Sequence, residues 1–209
     1  MRTNPFVDVW QFVVGLTDVP YAAGSFKYGF ISLLFGLLGA SVLIALINRR
    51  ADPAQRTEAH IVICACRILV GCMWFQASLW KLPLPVADGF RYWTEQMGQY
   101  AAFEFHRTLV TSVYLPYLSM INLVVFLAEM SFAVSLILGF GVGFFSALAT
   151  LFCLHLWLGL YQHPTEWPWT YIFLALVHVQ FVASSAGRSL GLDALLHRRD
   201  VTGFARAFG

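Results

Sequence analysis

Five apolar stretches, residues 28–47, 61–80, 115–138, 143–161 and 168–184, reach or approach the roughly 20 residues a helix needs to cross a bilayer core. Hydrocarbon offers no partner to backbone N–H and C=O groups, so segments of this kind fold as helices that satisfy those groups internally. Charged residues make up 11% of the chain, against about 25% in a soluble domain. The mean hydropathy is +0.69. The expected fold class is therefore all-α integral membrane, with five spans.

The segments between the spans carry their own signals. Residues 6–16 are too short to span and are broken by Asp8 and Gln11. With Trp10 they predict a helix in the membrane interface rather than a signal peptide, since no small-residue cleavage site follows. Within 82–114, Phe90, Trp93, Met97 and Tyr100 recur at helical spacing, which predicts an amphipathic helix resting on the membrane. The Gly-Phe-Gly-Val-Gly run at 139–143 predicts a tight turn between the third and fourth spans.

Basic residues set the expected direction. Arg49, Arg50, Arg56, Arg188, Arg198, Arg199 and Arg206 fall on one side. Arg2, Lys27, Lys81, Arg91 and Arg107 fall on the other, diluted by Asp8, Asp18, Asp88, Glu95, Glu104 and Glu166. This places the N-terminus outside and the C-terminus in the cytoplasm. Trp80, Trp93, Tyr161, Trp167 and Trp169 then gather at the outer interface as an aromatic belt.

A formal net charge of +2 gives no basic excess for a nucleic-acid partner. Cys64, Cys66, Cys72 and Cys153 all lie in apolar segments and read as small buried hydrophobes, with no zinc or iron–sulfur spacing and no metal site expected. No flavin or nicotinamide motif is present; the glycines at 139–143 are too short a run and lie in a turn. Small residues at every fourth position, Ser32, Gly36 and Ala40, then Ser131, Ser135 and Gly139, predict close helix packing.

Ionisable residues inside a span are costly and call for an explanation. Arg67 lies about 9 Å into the second span, on a face shared with Gly71, Trp74, Ser78 and Lys81. Glu129 lies about 14 Å into the third span, with Asn122 on its face. His178 is about 9 Å, and His155 about 18 Å, from the cytoplasmic side of their own spans. The expected assembly is an Arg67–Glu129 ion pair with His178 nearby. That pair either fixes helix register or handles protons. A b-type haem between His155 and His178 is disfavoured by their offset of about 9 Å. Outside the spans, Lys81, Arg91, His106 and Arg107 either draw an anion or face lipid headgroups. His163 and Glu166 flank a proline turn and receive no further role.

From Arg67 onward the chain resembles the DoxX/DoxD family of small membrane proteins. The likeness rests on Arg67-Ile68-Leu69-Val70-Gly71 running on to Lys81, on Ala128-Glu129, on Trp167-Pro168-Trp169-Thr170-Tyr171, and on Ala186-Gly187-Arg188-Ser189-Leu190-Gly191-Leu192-Asp193. It covers roughly two thirds of the chain and divides it in two. Residues 1–60 hold the interfacial helix, an extra span and a basic loop. Residues 61–209 form a DoxX-like four-helix bundle with a short cytoplasmic tail, where Asp193 is expected to cap a helix over 194–199. Trp80 stands where the family usually has a small residue.

The resemblance implies the membrane subunit of a thiosulfate:quinone oxidoreductase in a bacterial or archaeal cytoplasmic membrane. Thiosulfate is then oxidised at the outer face and electrons pass to membrane quinone, with a smaller partner subunit. On that reading Arg67, Trp74, Glu129 and His178 bind quinone. Glu129, Arg67 and His178 are the catalytic group. Lys81, Arg91, His106 and Arg107 hold the substrate anion. The alternative is a non-catalytic accessory subunit that scaffolds a larger membrane complex, which the extra first span favours. A transporter is disfavoured, because there are no inverted repeats or broken helices.

Overall fold

Gly71 and Ile137 mark the point around which the bundle is registered. A Cβ on Gly71 would stand 2.8 Å from Ile137 Cγ1 and 3.0 Å from its backbone nitrogen, so two helix backbones touch there. The computed structural model describes residues 4–13 and 27–198, and among these the protein is all-helical. The helices are α1 (Pro5–Val13), α2 (Lys27–Ala51), α3 (Glu58–Leu79), α4 (Asp88–Tyr100), α5 (Glu104–Leu109), α6 (Leu118–Leu138), α7 (Val142–Gly159), α8 (Trp169–Ala183) and α9 (Leu192–Arg198).

Four of them, α2, α3, α6 and α7, are long and apolar enough to cross a bilayer; α8 is apolar but has 15 residues. α3 lies antiparallel along α6, and α7 lies along α8. α2 packs on α6, where Ser41 Oγ donates to the Ile137 carbonyl at 2.6 Å. Trp74 of α3 holds the centre, edge-on to Phe132 of α6 at 5.3 Å and tilted against Phe152 of α7 at 5.9 Å.

Two expectations need correction. The Ser32, Gly36 and Ala40 stripe on α2 lies on its exposed side, and Gly36 has no atom within 4 Å of a Cβ position. The face of α2 that packs carries Leu34, Ser41 and Asn48 instead. Cys64, Cys72 and Cys153 are buried, but Cys66 is exposed, because it sits about 200° round the helix from Cys64.

The turn end of the bundle is a polar clasp. α6 stops at Gly139, whose φ of +71° is open to glycine at little cost, and Gly141 at +59° completes the reversal into α7. The Asp193 carboxylate accepts from the amides of Gly141 (2.8 Å) and Val142 (3.2 Å), capping the start of α7. The expected cap on its own helix is overturned: α9 begins at Leu192, so Asp193 is already inside it and aims at the neighbouring helix start. Asn48 Nδ2 donates to the Gly191 carbonyl at 2.8 Å, and the Leu190 amide to Gln55 Oε1 at 2.8 Å. With His60 Nδ1 of α3 2.9 Å from Ser189 Oγ, the exit motif Ala186 to Asp193 is the strap that ties α2, α3 and α7 together at this end.

Candidate functional site

At the other end, the register set by Gly71 brings Lys81 level with Glu129. Lys81 is ten residues beyond Gly71, about 15 Å along the α3 direction, and Glu129 is eight residues before Ile137, about 12 Å along antiparallel α6. Lys81 Nζ donates to Glu129 Oε2 and, at 2.9 Å, to the Ala77 carbonyl; both charged side chains are 3–4% exposed. The ammonium also lies 4.2 Å from the centroid of the Trp80 ring. Asn122 Nδ2 donates to the Lys81 and Pro85 carbonyls at 3.0 Å each, which anchors the segment that turns Lys81 inward.

This pair forms part of the wall of a cavity of about 390 Å³ lined by α3, α4, α6, α7 and α8. Its surface is apolar and aromatic, including Trp74, Trp93, Tyr114, Phe152 and Tyr171. Tyr114 arrives from a π-helical turn over Val110–Tyr114, in which the Leu115 amide reaches the Val110 carbonyl at 3.0 Å. Such turns shift side chains out of α-helical register and often occur at functional sites. Phe90, Thr94 and Met97 of α4 are buried and line the cavity. The predicted amphipathic helix therefore exists, but it roofs a cavity with its apolar face.

His155 of α7 lines the cavity, and among the described residues neither of its ring nitrogens makes a hydrogen bond. Its ring stacks on His106 of α5 at 4.7 Å and leans on Tyr114 at 5.4 Å. Burial lowers the pKa of His106, which favours the neutral form the stack needs.

The expected Arg67–Glu129 pair does not form. Arg67 lies one turn to the other side of the Gly71–Ile137 contact, opposite the end of α6. There its guanidinium donates to the carbonyls of Leu136 and Ile137 (the latter at 3.2 Å) and approaches Cys64 Sγ at 3.6 Å. It is a cation on a helix C-terminus, where the last carbonyls lack partners. His178 does not join Glu129 either. Its Nε2 accepts from Trp74 Nε1 at 2.8 Å, so it stands behind the cavity wall and orients the indole. His155 and His178 thus face different partners.

Of the four cations expected to hold an anion, only Lys81 lines the cavity. His106 is buried beside His155, Arg91 is exposed on α4, and Arg107 pairs with Glu104 at 3.3 Å on the surface. Sequence reasoning identified Glu129 and Trp74 but assigned no cavity role to Tyr114, His155 or Tyr171. The available signals were the place of His155 inside an apolar span and that of Tyr171 in the aromatic Trp167 to Tyr171 motif.

Comparison of the chain with protein-family models, curated proteins and solved structures finds no match.

Proposed function

We propose that this chain is a quinone-binding redox subunit of a bacterial or archaeal cytoplasmic membrane, of the type implied by its DoxX/DoxD resemblance. The observation that carries the reading is the Lys81–Glu129 pair set in the wall of an otherwise aromatic cavity, with the free ring nitrogens of His155 in the same wall. Aromatic walls with a few convergent polar groups suit a flat, polar-edged ring. An ammonium has three donors, of which two are used here, so Lys81 retains one for a quinone carbonyl. A neutral imidazole offers one N–H to the other carbonyl. Reducing a quinone to a quinol consumes two electrons and two protons. Glu129, through Lys81, and His155 are positioned to pass protons, while electrons come from the reductant or a partner subunit.

In this reading α8 is the fifth span, the cavity lies towards the outer face, and the clasp around Asp193 faces the cytoplasm. Thiosulfate is the reductant the resemblance implies.

Trp74, Trp80 and Trp93 all line the cavity, so a bound quinone is expected to quench tryptophan fluorescence. Decylubiquinone and menadione, titrated into the detergent-purified protein, should each quench saturably, and Lys81→Met should weaken both. Quenching that rises linearly without saturation for both compounds overturns the reading.

One observation favours the accessory-subunit reading: the unpacked Ser32, Gly36 and Ala40 stripe on α2, a surface suited to another helix. Bulky Gly36→Leu would then disrupt a complex in native membranes while leaving quinone binding intact.

A further inference from the structure

The cavity that we read as a quinone site has a side door. Around α3, at about 100° per residue, Gly71 faces α6, Trp74 faces the bundle centre, and Val70, Ala77 and Met73 follow in turn away from α6. All three line the cavity, and Met73, at 46%, is the most exposed of all the lining side chains. The neighbour on that side is α8, whose Tyr171 and Leu174 form the opposite lip. α3 and α8 barely approach each other, whereas α3 with α6 and α7 with α8 are closely paired; the Trp74–His178 hydrogen bond bridges the loose seam. α4 lies above the cavity, and the closely packed α3–α6 and α7–α8 pairs form two of its side walls.

The geometry points to a lateral portal between Met73 and Leu174, through which the apolar tail of a prenyl- or alkyl-quinone leaves the cavity for the bilayer. This inference rests on the quinone reading and adds the class of ligand, tailed rather than ring-only. A volume of about 390 Å³ is near the low end of pockets that enclose a small ligand. It holds a ring and the first carbons of a tail but not a membrane-length chain. The exit lies on a helix face that hydrocarbon already solvates, so a tail lying along it exposes no apolar surface to water.

The experiment compares two ligand pairs, tail-less ubiquinone with decylubiquinone, and menadione with a prenylated menaquinone, in wild type, Met73→Trp and Leu174→Trp. Val62→Trp, on an exposed part of α3 about 16 Å along the helix from Met73, is the control. Binding is read by competition against a radiolabelled tailed quinone, so the added indoles do not confound it. Met73→Trp and Leu174→Trp are expected to weaken each tailed member by about tenfold or more relative to its ring-only counterpart. Equal weakening of both members, or of neither, overturns the portal and leaves the quinone site standing. Wild-type protein that binds no member of either pair overturns the site and the portal together.

Discussion

Lys81, two residues beyond the end of α3, reaches back into the bundle to meet Glu129, eight residues before the helix contact at Ile137. A pair so enclosed has a specific energetic signature. Removing one partner strands a buried charge and costs about 3–5 kcal/mol, whereas neutralising both is far milder. Lys81→Met and Glu129→Gln should each lower the unfolding temperature in detergent, and the double variant should recover most of the loss. An additive double variant would show that the two groups do not act as a pair. On the proposed quinone reading, turnover should be lost in all three, since each breaks the Glu129–Lys81 relay even where the fold is restored.

Gly71 permits the α3–α6 contact that sets this register. Gly71→Ala places a methyl 3.0 Å from the Ile137 backbone, and rigid backbone cannot yield as a flexible side chain does. The expected loss is about 1–3 kcal/mol, and on the proposed reading quinone binding weakens because Lys81 and Glu129 move out of level. Thermal stability and binding measured on the same preparation test both parts; wild-type values in each would contradict the contact.

Asp193 links the strap to the start of α7. Asp193→Ala leaves the Gly141 and Val142 amides without their acceptor, costing about 0.5–2 kcal/mol. Burial raises the Asp193 carboxyl above its ordinary value, and the two amides with Arg67 and Arg188 offset this only in part. The folded state therefore binds this proton more tightly than the unfolded chain. Its contribution to stability declines as pH rises from about 4 through the raised value. Asp193→Asn should remove that decline from a series of unfolding temperatures against pH; an identical slope in the variant would assign it elsewhere.

Cys66 offers a direct check on the rotation of α3. It is exposed, whereas Cys64, Cys72 and Cys153 are buried and none is in a disulfide. A lipid-soluble maleimide should add once to the folded protein, as read by intact mass, and not at all to Cys66→Ser. Two or more additions under native conditions would place α3 in a different orientation.

The apolar runs by themselves determined the helices, because in hydrocarbon a backbone has few ways to satisfy its hydrogen bonds. Four long spans, a shorter α8 and the turn at Gly139 to Gly141 all lie where the pattern places them. The amphipathic period of α4 was equally legible, since periodicity shows which face is apolar. What covers that face depends on the neighbouring helices, and here it is a cavity roof. The pairing of the intramembrane charges was not legible either. Depth counted along separate helices put Arg67 near Glu129, but the Gly71–Ile137 contact slides α3 against α6, so that Arg67 caps a helix end and Lys81 takes the carboxylate. Asp193 is a parallel case, a capping residue whose local sequence names the chemistry but not the helix it caps. Sequence determined which groups must be satisfied; only tertiary contact decided their partners, because register between helices is set where backbones touch and not along either chain segment alone.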